Sequence, residues 1–94
     1  MLTSKQRAYL RGLANTIDPI FHIGKSGITP EFVQSVADAL EARELIKFRV
    51  LESALVSPKD IAAEVAEETN SIVVTVIGSK VVLYRKGEKN KYEL

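Results

Sequence analysis

Hydrophobic residues recur along this chain with two different periods, one typical of helices and one typical of strands. Spacings of three and four residues, which place apolar side chains on one face of a helix, occur at residues 3–17, 29–44 and 57–70. Short runs rich in β-branched residues, which are typical of strands, occur at residues 20–23, 45–51, 72–77 and 81–85. The pattern therefore predicts the order α-β-α-β-α-β-β.

Each predicted helix opens on a start signal. Thr3 and Gln6 have the spacing of a capping box, in which each side chain accepts the other residue's backbone N–H. The other two helices open with a hydroxyl residue followed by proline, at positions 29–30 and 57–58. The hydroxyl accepts an N–H of the first turn, and proline at the first helical position removes no hydrogen bond. The apolar face predicted for the first helix consists of Leu2, Tyr9, Leu10 and Leu13.

The predicted strands indicate a mixed sheet. Strand–helix–strand units favour parallel strands, so we expect the first two strand pairs to be parallel and the last pair to be a hairpin turning at residues 78–79. The run 72–77 is almost continuously β-branched, as expected for a central strand. The second and third helices are expected on one face of the sheet. The first helix then covers part of the other face and leaves Lys47 and Arg49 on the open remainder.

The fold class predicted is a single α/β domain, a four-stranded mixed sheet with three helices, over residues 1–86. Residues 87–94 form a polar C-terminal tail that is expected to fray. With 94 residues and 46% hydrophobic content, the chain can bury a core of its own. It has no cysteine and one histidine, so a disulfide scaffold, a cysteine-based metal site and a histidine-rich metal site are excluded. No metal or other cofactor is expected.

The sequence leads us to expect neither a membrane-spanning segment nor a signal peptide. The apolar runs are far shorter than the ~20 residues that span a bilayer, and the charged N-terminal residues are not followed by the apolar stretch of a signal peptide. We therefore expect a soluble, cytoplasmic protein without a membrane partner.

Charge is distributed unevenly, although the net charge is only +1. Residues 31–68 hold nine acidic and four basic side chains, whereas the two flanks together hold nine basic and three acidic ones. If the two ends of the chain meet in the fold, one side of the molecule becomes basic, which favours a nucleic-acid partner. The acidic segment 31–68 leaves open a second reading, a module that binds another protein.

Residues 24–27, Gly-Lys-Ser-Gly, are the local feature with the clearest chemistry. Glycine at both ends permits positive φ and close approach of other groups, the following helix N-terminus favours an anion, and Lys25 suits a phosphate. A nucleotide-binding P-loop would need glycine where Pro19 stands, which argues against a nucleotide-phosphate-binding enzyme. The remaining G-x-x-G pattern also occurs in KH domains as a clamp on single-stranded backbone, and a plain structural turn stays an alternative.

Catalytic chemistry is poorly supported by the sequence. His22 is the single histidine, and we expect it to be a partly buried structural residue rather than a base. Ser26 stands near it, but the spacing matches no nucleophile motif. The carboxylates of the second and third helices are expected to lie on solvated helix faces. The protein is therefore predicted not to be an enzyme.

Several segments together resemble one known family, the CRM domain (chloroplast RNA splicing and ribosome maturation), in its bacterial stand-alone, YhbY-like form. The segments that carry the resemblance are residues 10–14 (LRGLA), 23–29 (IGKSGIT), 40–41 (LE), 44–50 (ELIKFRV), 76–78 (VIG) and 83–85 (LYR). They span nearly the whole chain in order. Phe48 stands where a smaller β-branched residue is common in the family, which should alter packing only.

The resemblance implies a fold similar to the C-terminal domain of bacterial translation initiation factor three. It also implies non-catalytic RNA binding through the G-x-x-G loop and nearby basic residues, and a role as an assembly factor on ribosomal RNA in precursor large ribosomal subunits. The candidate RNA-binding residues are Gly24, Lys25, Ser26, Gly27, Arg7, Arg11, Lys80 and Arg85. Further possible RNA contacts are Lys5, Lys47 and Arg49.

Overall fold

The computed structural model describes residues 2–94, so position 1 of the predicted domain lies outside the described residues. These residues form three helices and four strands in the predicted order. The helices are α1 (Ser4–Ala14), α2 (Pro30–Arg43) and α3 (Pro58–Thr69). The strands are β1 (Phe21–Ile23), β2 (Leu45–Val50), β3 (Ile72–Ile77) and β4 (Lys80–Tyr84). The predicted fold class is confirmed.

All three predicted helix starts are confirmed. Thr3 and Gln6 form both hydrogen bonds of the capping box. The hydroxyls of Thr29 and Ser57 accept the backbone N–H groups three residues later, and a proline follows each of them. The end of the first helix differs from the prediction, because α1 ends at Ala14 whereas the helical pattern extends to residue 17. Residues 15–17 instead form a turn and a bend, and residues 18–20 connect them to β1.

The strand order in the sheet is β1-β2-β4-β3. β1 and β2 are parallel, as predicted, while β4 is antiparallel to both β2 and β3. The prediction that β3 is a central strand is wrong. β3 lies at the sheet edge, and the last strand, β4, is inserted between β2 and β3 with four of its five residues buried. β2 and β3 therefore point the same way but are not neighbours, so the prediction that they form a parallel pair is wrong.

Helices cover both faces of the sheet, and each face has its own core. Val36 of α2 and Val65 of α3 pack with Phe48 and Leu83 on one face. Leu10 and Ala14 of α1 pack on the other face with buried residues of β2, β3 and β4. This arrangement agrees with the prediction. Of the apolar face predicted for α1, however, Tyr9 is 51% exposed.

Phe48 sits in an aromatic cluster within the larger core. Its ring contacts that of Phe32 edge to face, with centroids 5.4 Å apart, and Phe32 contacts Phe21 in the same way at 6.0 Å. Edge-to-face pairs of this kind add to the burial free energy of the rings. The large residue at position 48 is therefore accommodated by packing against α2, as the sequence led us to expect.

The C-terminal tail makes contacts with the rest of the domain. Tyr92 and Leu94 pack against the core under α1, and the backbone N–H of Lys91 donates to both carboxylate oxygens of Glu44, at 3.0 and 3.1 Å. Glu44 itself is buried at the end of α2. The polar composition of the tail gave no indication that Tyr92 and Leu94 pack against the core. It also gave no indication that the tail hydrogen-bonds to Glu44, which is far away in sequence.

Candidate nucleic-acid interface

Residues 24–27 form a closed turn between β1 and α2. The N–H of Gly27 donates to the carbonyl of Gly24 at 2.9 Å, and Gly27 has φ +67°. A side chain at that φ is strained, which explains the second glycine. Lys25 and Ser26 occupy the two corner positions and are exposed. The turn therefore presents its ammonium and hydroxyl groups to solvent.

The first glycine of the turn lies close to side chains of a neighbouring loop. A Cβ atom at Gly24 would lie 2.9 Å from Oγ of Ser53 and 3.4 Å from Cδ1 of Leu51. The N–H of Leu51 donates to the carbonyl of Ile23 at 2.8 Å, which holds the 51–57 loop against the end of β1. Gly24 thus permits the close approach of the two loops. The sequence predicted a close approach at this glycine but did not show that the 51–57 loop makes it.

The turn leads directly into α2. Oγ1 of Thr29 accepts the N–H of Phe32 at 3.1 Å, and Pro30 begins the helix. The axis of a helix carries partial positive charge at its N-terminus, and this charge is strongest within the first turn. Lys25 and the start of α2 consequently contribute charge of the same sign to one end of the molecule.

A row of polar side chains crosses the sheet beside this turn. His22 of β1 pairs with Arg49 of β2, and Arg49 pairs with Lys80 of β4. Residues directly opposite one another point to the same face of a sheet. The neighbours Phe48 and Val50 point into the core beneath α2 and α3, so the row points to the α1 side. All three side chains are exposed. We call His22, Arg49 and Lys80 the cross-strand row.

The cross-strand row and the turn lie at the same end of the sheet. His22 precedes Gly24 by two residues, and the N–H of Val50, next to Arg49, donates to the carbonyl of Ser79 at 2.7 Å. Strands in a sheet are about 4.8 Å apart, so the row extends about 10 Å across three strands. The fold therefore brings residues 22, 25, 49 and 80, from three separate segments of the chain, to one end of the sheet.

Three of the candidate basic residues have structural partners instead. Nη1 of Arg7 donates to the carbonyls of Val73 (2.5 Å) and Val74 (2.9 Å), at the irregularity in β3. Nζ of Lys47 donates to the carbonyl of Ile17 at 3.0 Å. Arg85 follows β4 at the opposite end of the sheet from the 24–27 turn and is partly buried. Its guanidinium hydrogen-bonds to backbone carbonyls of both α2 and α3.

The remaining candidates, Lys5 and Arg11, are exposed residues of α1. Arg11 lies in the last turn of that helix, four residues beyond the partly buried Arg7. They belong to the same side of the sheet as the cross-strand row, because α1 packs on that face. Among the described residues, no hydrogen bond joins the side chain of Lys5 or Arg11 to the 24–27 turn.

His22 is the residue that sequence reasoning assigned wrongly. It was expected to be partly buried, but its side chain is exposed beside Arg49. The exposure of His22 could have been predicted from the alternation within β1. Phe21 and Ile23 point into the core, and side chains along a strand alternate between its two faces. Three residues were too few to make that alternation convincing.

The acidic residues gather on the other side of the molecule. Exposed carboxylates lie along α2 and α3, at Glu31, Asp38, Glu41, Asp60, Glu64, Glu67 and Glu68. Both helices pack on the face of the sheet away from the cross-strand row. Within residues 2–94, no group of three or more carboxylate and histidine side chains could hold a metal ion. None of the helices described is long and apolar enough to cross a membrane.

Comparison with known proteins identifies the class to which this fold and surface belong. The family description "CRS1 / YhbY (CRM) domain" matches residues 2–85. The chain therefore belongs to the CRM domain family, which confirms the resemblance noted in the sequence.

Relatives and a solved structure extend over the same region. The chain is 41% identical over 91 residues to "Probable RNA-binding protein YqeI" of Bacillus subtilis, covering 97% of this chain and 95% of that one. It is 33% identical over 93 residues to an "RNA-binding protein" of Haemophilus influenzae, with 99% and 94% coverage. The solution structure of SAV1595 from Staphylococcus aureus is similar with a TM-score of 0.83 and 49% identity, covering 98% and 96% of the two chains.

Proposed function

We propose that this protein is a non-catalytic RNA-binding protein of the cytoplasm. It binds ribosomal RNA in precursors of the large ribosomal subunit and acts as an assembly factor. The observation that carries the proposal is the exposed cross-strand row next to the 24–27 turn. Similarity to proteins named for RNA binding supports the same partner. The ribosomal target rests on the family resemblance described above.

The proposed contacts are with the phosphate backbone. Lys25 at the corner of the turn, with Arg49 and Lys80 in the row, offers three exposed cations at one end of the sheet. Arginine can bind a phosphate with two parallel hydrogen bonds, and lysine contributes a mobile point charge. His22 adds an exposed imidazole beside Arg49. Phosphate contacts position a protein on RNA but carry little sequence information.

Base recognition by aromatic stacking plays a small part in this proposal. All three phenylalanine rings belong to the cluster in the larger core. Among the described aromatic residues, only Tyr9 is among the exposed large hydrophobic side chains, and it lies on α1. Stacking on aromatic rings is the usual source of affinity for unpaired bases. We therefore expect most of the binding free energy to come from charge.

The experiment that tests the RNA-binding surface is a salt titration of RNA affinity. Lys25→Ala, Arg49→Ala and Lys80→Ala are each expected to weaken binding to most RNAs about equally and to reduce the salt slope by about 1. Lys86→Ala is the matched control, because Lys86 is exposed beyond the opposite end of the sheet. If Lys86→Ala has the same effect as Lys25→Ala, binding is a diffuse charge effect and the proposed surface is wrong.

The ribosomal target is tested by sedimentation. Tagged protein in cell lysate is expected to sediment with precursors of the large subunit at low and moderate salt. The double variant Lys25→Ala/Arg49→Ala should leave that peak, and Lys86→Ala should remain in it. Recovery of the wild-type protein only at the top of the gradient in low salt would rule out stable association with ribosomal particles.

A second function is favoured by the acidic outer faces of α2 and α3. Such a surface could bind a basic protein while the opposite side holds RNA. Its test is a pull-down with the variant Glu41→Lys/Glu67→Lys, since both residues are exposed. A protein partner that is lost with this variant but kept with Lys25→Ala/Arg49→Ala would support a separate protein-binding face.

A further inference from the structure

A groove lies between the 24–27 turn, the 51–57 loop and the start of α3, on the face of the sheet opposite to the cross-strand row. Its volume is about 310 Å³. Lys25 and Ile28 line one wall, Leu55 and Val56 line the other, and the buried Ile61 of α3 lies between them. The groove is therefore bounded on one side by the same lysine that we propose to contact phosphate.

The far wall of the groove is unusually apolar for an exposed loop. Leu55 is 93% exposed and Val56 is 49% exposed. Large apolar side chains standing free on a loop are a mark of a binding site when they border a concave surface. Such a wall suits the flat face of a ligand that is partly apolar.

Charged residues of both signs line the groove. Lys25 comes from the 24–27 turn, and Asp60 and Glu64 come from the first two turns of α3. A carboxylate repels phosphate and accepts hydrogen bonds, whereas an ammonium group attracts phosphate. A ligand that matches both kinds of residue carries a phosphate and hydrogen-bond donors.

We propose that this groove takes one unpaired nucleobase with an exocyclic amino group, from an RNA strand whose phosphate lies on Lys25. Leu55 and Val56 contact the face of the base, and Asp60 and Glu64 accept hydrogen bonds from its amino group. A volume of about 310 Å³ is at the small end for ligand sites, which suits a single base. The proposal rests on the proposed RNA-binding function and adds a base preference to it.

The chemistry predicts which bases are preferred. Adenine, cytosine and guanine carry an amino group, and carboxylate side chains accept hydrogen bonds from such groups. Uracil lacks the amino group, and an abasic nucleotide lacks the whole base. Single-stranded RNA offers bases that can turn out of the stack, as recognition in a groove of this kind requires.

The test measures relative affinity with short single-stranded oligonucleotides of A, C or U, and with an oligonucleotide of abasic nucleotides, at one salt concentration. For the wild-type protein, A and C oligonucleotides are expected to bind roughly fivefold tighter than U or abasic ones. Leu55→Ser should weaken A and C binding and leave abasic binding unchanged. Asp60→Asn/Glu64→Gln should reduce the A-to-U ratio towards one, even if loss of negative charge raises all affinities.

Controls separate the base groove from general effects. Glu67→Gln/Glu68→Gln removes the same number of negative charges from α3 outside the groove and should leave the A-to-U ratio unchanged. Tyr9→Ser removes an exposed apolar side chain from α1 and should have no effect on base preference. All altered side chains are exposed, so circular dichroism is expected to show the same fold for each variant.

The outcomes distinguish this inference from the function on which it rests. If no oligonucleotide binds and Lys25→Ala changes nothing, the RNA-binding function fails and the groove proposal fails with it. If all oligonucleotides, abasic ones included, bind equally with the expected salt slope, RNA binding stands and the groove proposal is overturned. The groove proposal is likewise overturned if Leu55→Ser changes no RNA affinity but abolishes binding of a protein partner.

Discussion

Nη1 of Arg85 donates a hydrogen bond of 2.8 Å to the backbone carbonyl of Thr69, the last residue of α3. Nη2 of the same guanidinium donates to the carbonyl of Ala37 in α2 at 3.0 Å. One side chain at the end of the central strand β4 thus joins both helices on that face of the sheet. A long, planar, permanently charged fork can reach two carbonyls at once, which a lysine cannot do in the same way.

We expect Arg85→Ala to lower the free energy of unfolding by about 2–4 kcal/mol, because it removes two hydrogen bonds from a charged donor. Lys86→Ala, at the next and exposed position, should change stability by less than about 0.5 kcal/mol. Urea denaturation of both variants measures the difference. Arg85→Lys keeps the charge but is expected to recover only part of the stability. If Arg85 instead binds RNA phosphate, as the sequence analysis predicted, Arg85→Lys should keep the RNA affinity of the wild-type protein.

Two glycines with equal space around them are expected to respond in opposite directions to alanine. A Cβ atom would meet no atom within 4 Å at either Gly12 or Gly27, but only Gly27 has positive φ, +67°. Gly27→Ala should lower stability by about 1–2 kcal/mol. Gly12→Ala, within α1, should raise it by about 0.5–1 kcal/mol because alanine loses less backbone entropy. Thermal denaturation of the pair checks both signs, and equal shifts would contradict the explanation.

The hydroxyl group of Tyr84 is buried and has no hydrogen-bond partner among the described residues. A buried donor without a partner costs about 1–3 kcal/mol, and removing it avoids that cost. We therefore expect Tyr84→Phe to leave stability unchanged or to raise it by up to about 1–3 kcal/mol. Tyr92→Phe is the comparison, since the Tyr92 ring packs edge to face on Tyr84. A clear loss of stability in Tyr84→Phe at neutral pH would show that the hydroxyl has a partner.

Stability should also fall at high pH because of the same two tyrosines. Burial raises the pKa of Tyr84 above 10.0, and the nearby Glu44 carboxylate and Tyr92 raise it further. The pKa of Tyr92 is raised as well, first by burial and then by Glu44. The folded state therefore holds these protons to higher pH than the unfolded state. Their contribution to stability is complete below about pH 10 and is lost as pH rises through the folded-state pKa.

The double variant Tyr84→Phe/Tyr92→Phe isolates this contribution from other groups that titrate at high pH. Its free energy of unfolding should fall less than that of the wild-type protein between about pH 9 and the alkaline limit of the measurement. Parallel curves for the two proteins would contradict the assignment of the raised pKa values to burial and to Glu44.

Glu44 is the buried acceptor that holds the C-terminal tail, being 1% exposed and bonded to the N–H of Lys91. Gly87 passes close to it, since a Cβ atom there would lie 3.0 Å from Oε2 of Glu44. Glu44→Gln replaces one acceptor oxygen with a donor. We expect it to cost about 1–3 kcal/mol and to speed hydrogen exchange of the Lys91 amide. Glu41→Gln on the exposed face of α2 should change neither quantity.

Local signals in the sequence were sufficient for the helix starts and for the 24–27 turn. A capping box, a hydroxyl followed by proline, and a pair of glycines act over three or four residues, so their physics is complete within the segment. In β2 the charged Lys47 and Arg49 alternate with the apolar Phe48 and Val50. This alternation likewise determined which side chains of β2 face the core.

The order of the strands in the sheet depends on tertiary contacts and not on local sequence signals. A β-branched run such as 72–77 can occupy an edge or the centre of a sheet, because burial depends on what packs beside it. β4 became central because it pairs with both β2 and β3. The same pairing placed Lys80 beside Arg49, and Arg49 beside His22. No local pattern in the sequence contains these neighbours, so the cross-strand row could not be assembled before the register was known.

The sequence by itself determined the elements, their starts and the phosphate-suited chemistry of residues 24–27. Only the tertiary structure decided which of the candidate cations remain exposed to solvent. Lys25, Arg49 and Lys80 remain exposed, while Arg7, Lys47 and Arg85 hydrogen-bond to backbone carbonyls. The physical reason is that a buried carbonyl needs a donor, and a long cationic side chain within reach supplies one. Whether an arginine serves the fold or a partner depends on distant backbone that its own segment does not encode.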